Sequence, residues 1–127
     1  MKPGYGFTLI ELLVVLAIST LALSVVAPLM QSQVNKAEAS AELIEFTTYM
    51  RNSAKVAFLR AEPIEIKLEG HRLTRMQGSN YVEVDFERLF FPPQQVRISA
   101  NGFSDVTSVL VQTGNKQQLV LLGQKKQ

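Results

Sequence analysis

Between Phe7 and Met30 lie 24 residues of which only Thr8, Glu11, Ser19, Thr20 and Ser24 are polar. No other feature narrows the possible folds as far. At about 1.5 Å rise per residue, a helix over this run is roughly 36 Å long. The hydrocarbon core of a bilayer is about 30 Å thick, so the segment is long enough to span. A helix that is apolar on every face can also be buried inside a soluble protein. The 127 residues of this chain could hardly surround one.

The run is expected to be retained rather than removed as a secretory signal. It is long for a signal core, and Glu11 lies within it. Ala22-Leu23-Ser24 has the small-residue spacing that signal peptidase prefers. Pro28 disfavours a cut after Ala27. Lys2 ahead of the run favours a cytoplasmic N-terminus, which puts the remainder of the chain outside.

Glu11 is the anomaly. A carboxylate in hydrocarbon costs on the order of 2.5 kcal/mol or more unless it is paired. No cation lies within the segment, and the nearest in the chain is Lys2, beyond Gly4-Tyr5-Gly6. A protonated, partnerless carboxyl is the plain alternative, since burial raises carboxyl pKa values. A partner from outside explains the residue better. One candidate is the new α-amine made by cutting just before Phe7 and presented by a neighbouring copy or related subunit.

Without the first 30 residues, 97 remain, enough for one modest core. The net charge of +2 points neither to a dedicated nucleic-acid binder nor to an enzyme of acidic substrates. There is no cysteine. A disulfide framework and thiolate metal sites are therefore excluded.

Gln31 to Ala61 holds no Gly or Pro and is rich in Ala, Glu, Leu and Lys, so the helix is expected to continue. Leu43, Phe46, Met50, Ala54, Ala57 and Ala61 fall at spacings of three and four and define one apolar face. Glu38, Glu42, Glu45, Asn52 and Lys55 fall largely elsewhere. Pro28 removes one helical hydrogen bond, to the Ser24 carbonyl, and is expected to kink or loosen that turn, with the Ser24 hydroxyl filling the gap. Pro63 marks the helix end.

Beyond it the pattern turns to strands. Ile64, Ile66 and Leu68 alternate with Glu65 and Lys67. Strands are also expected over residues 72–76, 81–86, 95–99, 108–112 and 118–122, with turns at "EGH", "QGSN", "NG" and "GN". Val82, Val84 and Phe86 alternate with Glu83 and Asp85. Pro92-Pro93 is expected to break the chain.

No catalytic constellation is present. His71, the single histidine, sits beside a turn glycine and reads as a solvated turn residue. Glu65, Glu69, Glu83 and Asp85 alternate on strands, so a solvated sheet face explains them better than a calcium site. There is no Gly-rich phosphate loop. Arg72, Arg75, Arg88, Arg97, Lys116, Lys125 and Lys126 supply the downstream positive charge. Lys125 and Lys126 are the candidate nucleic-acid contacts. A few lysines bind a phosphate backbone weakly and salt-sensitively, so the patch is read as ordinary surface.

Gly6-Phe7-Thr8-Leu9-Ile10-Glu11, followed by the uninterrupted apolar run, resembles the processing site of type IV prepilins and type II secretion pseudopilins. The resemblance covers roughly the first quarter of the chain. It implies a leader of residues 1–6, cleavage after Gly6 by prepilin peptidase, and methylation of Phe7. Glu11 then matches the family's glutamate, which pairs with a neighbour's N-terminal amine during assembly. Pro28 falls where many pilins carry a helix-bending proline. Glu42 to Leu68 resembles the helix-to-strand passage of the GspH/FimT-like minor pilins and pseudopilins.

The resulting expectation is an α+β, pilin-like fold. One long N-terminal helix, half transmembrane (7–30) and half amphipathic, packs on a small, mostly antiparallel sheet within a periplasmic domain (31–127). The function implied is a minor structural subunit of a type II secretion pseudopilus or type IV pilus, without catalytic activity, cofactor or metal. Its partners would be other pilin or pseudopilin subunits, prepilin peptidase, the inner-membrane assembly platform and the membrane itself. It would sit in the bacterial inner membrane and then in a filament. Alternatives are a DNA-binding minor pilin for natural transformation and a membrane-anchored periplasmic binding module.

Overall fold

The computed structural model describes Gly4 and residues 6–122. Helix α1 (Leu9–Arg60) is followed by β1 (Ile64–Gly70), β2 (Arg72–Gln77), β3 (Asn80–Asp85), β4 (Leu89–Ile98), β5 (Ser108–Thr113) and β6 (Lys116–Leu121). The fold is α+β and pilin-like in architecture. The chain divides into two compact units, Met1–Lys36 and Ala37–Gln127. The first is the apolar part of α1, and the second is the rest of that helix with the whole sheet.

In the second unit the strands form one six-stranded sheet in the order β3-β2-β1-β4-β5-β6, with every neighbouring pair antiparallel. The alternation read in β1 is real. Ile64, Ile66 and Leu68 are fully buried, while Lys67 and Glu69 face solvent. Against them pack Phe46, Met50, Ser53 and Ala57 of α1. Phe46 sits at the centre, its ring 6.1 Å from Phe86 and 5.1 Å from Phe91. The Phe86 and Phe91 rings meet edge to face at 5.7 Å, the geometry that the ring quadrupole favours. The hairpins β2–β3 and β5–β6 turn on two residues each. Gly78 (φ 57°) and Gly114 (φ 58°) supply the left-handed conformation that opens each turn.

Three expectations are corrected. First, Pro92-Pro93 does not break the chain, because β4 runs through both prolines. Phe91 pairs with Gly70 and Gln94 with Leu68 on β1, so two prolines face the single residue Glu69. That two-against-one bulge is the place in a ladder where a missing N–H costs least. The bulge also flips the strand's phase. Leu89 and Phe91 are buried before it, Val96 and Ile98 after it. The β4–β5 ladder covers only Leu89↔Thr113 and Phe90↔Gln112. Past the prolines the Gln94 carboxamide acts in place of backbone. Its Nε2 donates to the Leu110 carbonyl at 2.6 Å, and its Oε1 accepts from the Leu110 N–H at 3.1 Å.

Second, Ala61 is not on the buried face. It is exposed and left-handed at φ 53°. It closes α1 with paired bonds from Glu62 N to Ala57 O (3.2 Å) and from Ala61 N to Phe58 O (3.3 Å), a helix end more often built on glycine. Third, the alternation over 81–86 does not mark a buried side, because β3 is an edge strand. Val82 is exposed, Val84 half-buried, and the buried Phe86 lies just past the strand.

Candidate functional site

The N-terminal unit is built on one cap. Thr8 precedes the first helical residue, and its Oγ1 accepts the N–H of Glu11 at 3.3 Å while its carbonyl accepts that of Leu12 at 3.2 Å. Thr8 is therefore the N-cap, and Glu11 holds the third helical position. There a carboxylate also meets the positive end of the helix dipole. Sequence reasoning missed this second rationale, although Thr-x-x-Glu ahead of an apolar run is a legible capping pattern. Glu11 makes no ion pair among the described residues. Gly6 and Phe7 lie just ahead of the cap, exposed and outside the helix.

From Leu9 to Val34 no residue is buried, including Leu9 at 80% and Leu21 at 69% exposure. Among the described residues this is the one helix long and apolar enough to cross a membrane. Its hydroxyls are spent on its own backbone. Ser19 Oγ donates to Val15 O at 2.7 Å, Thr20 Oγ1 to Ala17 O at 2.8 Å, and Ser24 Oγ to Leu21 O at 2.7 Å. The Ser24 hydroxyl thus does not fill the gap at Pro28. That residue lies inside α1, and the helix continues on both sides of it.

In the second unit the ordering contacts converge on residues 87–89. The Glu42 carboxylate accepts three backbone N–H groups, from Glu87 (2.9 Å), Arg88 (2.8 Å) and Leu89 (3.1 Å). Glu38 holds the Arg88 side chain at 2.7–2.8 Å. From the other side His71 Nδ1 lies 2.7 Å from the Leu89 carbonyl. A carbonyl only accepts, so Nδ1 carries the proton. His71 is thus a latch between the β1–β2 turn and β4, more than a solvated turn residue, and its ring meets Phe90 edge to face at 5.6 Å.

The acids of the outer sheet face are ion-paired rather than gathered into a site. Arg72 bonds Asp85 at 2.8 Å and approaches Glu83 at 3.7 Å, Arg97 bonds Glu65 at 2.5 Å, and Lys67 meets Glu69 at 3.3 Å. The hydrogen bond to Asp85 raises the pKa of Arg72 above its ordinary value. The hydrogen bond that Tyr81 donates to Glu83 pushes the tyrosine upward too. Among the described residues no group of three His, Asp or Glu side chains is arranged to hold a metal ion. Lys125 and Lys126, the candidate nucleic-acid contacts, lie outside the described residues.

The family comparison bears on the N-terminal unit, where residues 1–27 match one family model. That model describes the prokaryotic N-terminal methylation motif. The motif supports a type IV pilin-like family and indicates a substrate of prepilin peptidase. With the exposed apolar helix, it fits a single-pass membrane-anchored protein. No curated protein and no solved structure matched the chain.

Proposed function

We propose that this chain is a minor pilin-like structural subunit of a type II secretion pseudopilus or type IV pilus, without catalytic activity of its own. The leader of residues 1–6 is removed after Gly6 in this reading, and Phe7 becomes the methylated N-terminus. The globular unit is delivered to the periplasmic side. The apolar helix is solvated first by lipid and then by the helices of other subunits. Glu11 sets the axial register, because its charge is compensated only when a neighbour's α-amine lies opposite. The passage from α1 through Pro63 into β1 supports the finer likeness to the GspH/FimT-like group.

The single observation that carries the proposal is the match of residues 1–27 to the methylation motif, which runs into a threonine-capped helix with no buried residue from Leu9 to Val34. Mass spectrometry of the protein from the cells that make it tests the processing. A chain beginning at methylated Phe7 is expected, and an intact leader or a start near Val25 overturns the reading. Glu11→Gln is expected to insert and be cleaved normally yet to be lost from assemblies with other pilin-like subunits. Normal incorporation of that variant would remove the role assigned to the carboxylate.

A further inference from the structure

The bond proposed for cleavage stands one residue ahead of the Thr8 cap. Gly6 and Phe7 are exposed and outside α1, Phe7 at 84%. A Cβ built on Gly6 would meet nothing within 4 Å. Among the described residues nothing distant packs against that glycine, so what keeps the bond out of the helix is local.

The first turn of a helix carries amides that have no intrahelical acceptor. Two donors show how α1 begins. The Leu12 N–H reaches the Thr8 carbonyl, four residues back, at 3.2 Å, which is the ordinary helical bond. The Glu11 N–H goes instead to Thr8 Oγ1 at 3.3 Å. Four residues behind Glu11 is Phe7, and four behind Ile10 is Gly6. Were the helix to run further back, those two carbonyls would be its next acceptors. The threonine hydroxyl takes the amide that would otherwise draw Phe7, and then Gly6, into the helix. Lipid supplies no substitute, since an amide freed in hydrocarbon must find another acceptor on the chain.

Hydrolysis adds water across the Gly6–Phe7 bond. The hydroxyl goes to the Gly6 carbonyl carbon and the proton to the Phe7 nitrogen. A Gly6 carbonyl bonded to the Ile10 amide would lie along the helix axis, ringed by side chains. Water held by a peptidase does not reach it there.

We infer that Thr8 is a positioning residue for processing: its hydroxyl stops α1 at Leu9 and so keeps the Gly6 carbonyl free for the peptidase. The inference rests on the cleavage after Gly6 proposed above, and it adds the residue that presents the bond. It does not depend on the Glu11 carboxylate, because the backbone of residue 11 makes the cap. Glu11→Gln keeps it.

Thr8→Val is the informative change. Valine has the shape of threonine and about its helix propensity, but no acceptor. Thr8→Ser and Thr8→Asn alter the shape yet cap at least as well. The full-length chain is made in cells that carry prepilin peptidase, and its conversion to a chain beginning at Phe7 is timed by mass. Thr8→Val should slow conversion by about two- to five-fold; the upper figure is the factor for a cap worth roughly 1 kcal/mol. Serine and asparagine should restore the rate. In micelles without the peptidase, the Cα chemical shifts of Gly6 and Phe7 should move toward helical values in the valine variant and return in the other two. Thr8→Val cleaved at the wild-type rate, or with those shifts unmoved, overturns the inference. Slow cleavage of Thr8→Asn overturns it too, because the peptidase would then be reading the threonine itself. A wild-type chain left uncut takes the subunit reading down as well, whereas a normally cut wild type with indifferent Thr8 variants sinks this inference alone.

Discussion

Glu42 offers the sharpest test of how helix and sheet are joined in the globular unit. Its carboxylate accepts from Glu87, Arg88 and Leu89. One oxygen takes the Arg88 and Leu89 amides, the other takes that of Glu87. Glu42→Ala leaves all three without a partner. The exposed Glu87 N–H can turn to water at little cost. The Arg88 and Leu89 bonds are part-buried, and hydrogen bonds to charged groups are worth about 1.5–3 kcal/mol each before water replaces part of the loss. The sum is about 3 kcal/mol, a large share of the roughly 5–15 kcal/mol that holds a typical domain together. Glu42→Gln can keep its single carbonyl oxygen on the Arg88 and Leu89 amides and lose only the exposed one. Its cost should be near 1 kcal/mol. Denaturant unfolding of the full chain in detergent micelles, followed by circular dichroism, measures both. Amide hydrogen exchange at Arg88 and Leu89 localises the effect. If Glu42→Ala falls within about 0.5 kcal/mol of wild type and those amides exchange unchanged, the carboxylate is not the anchor. Glutamine as damaging as alanine would refute the assignment of one oxygen to two amides.

Other consequences follow from single residues. Ala61→Gly should stabilise the unit by about 1 kcal/mol, since a left-handed backbone opposes an alanine Cβ; the same unfolding experiment reads it. The Ser53 hydroxyl is fully buried without a hydrogen-bond partner. Ser53→Ala should therefore be neutral or stabilising by up to about 1 kcal/mol, whereas Phe46→Ala should cost about 3–5 kcal/mol. Tyr81 should ionise above the ordinary tyrosine range because its hydrogen bond to Glu83 is lost with the proton. Folding raises this pKa, so the stability linked to it is whole below the unfolded tyrosine value and fades as pH rises through the folded one. Ultraviolet titration, with Tyr81→Phe as the blank, should show Glu83→Gln bringing the tyrosine back down.

What could be read in advance was whatever depends on local spacing. The apolar run, the stripe from Leu43 to Ala57, the alternation in β1 and the glycine turns are all local signals, and they position the helix and most strands. The larger misreadings share a cause, a partner distant in sequence, whereas the Ala61 helix end and the Ser24 hydroxyl turn on bonds within five residues. Pro92-Pro93 reads as a break until Glu69 is known to face both prolines. Gln94 gives no hint that it will stand in for backbone against Leu110. Glu42 looks like any solvated helix acid until the sheet brings residues 87–89 beneath it. At the N-terminus the carboxylate stood out because its surroundings contradict its chemistry. Its place in the Thr8 cap is equally local, since Thr8-x-x-Glu11 is a capping pattern.

The paired prolines of β4 have a mechanical consequence. A strand with alternating side chains can slide along its neighbour and trade one ladder for another. Here any slip of β4 against β1 would carry a residue lacking an N–H into a position where the neighbouring carbonyl expects a donor, and would leave the kink without its opposing residue. Sliding is blocked in both directions, as by a tooth in a rack. The middle strands of this small sheet can be wrongly threaded only by giving up hydrogen bonds that nothing else replaces.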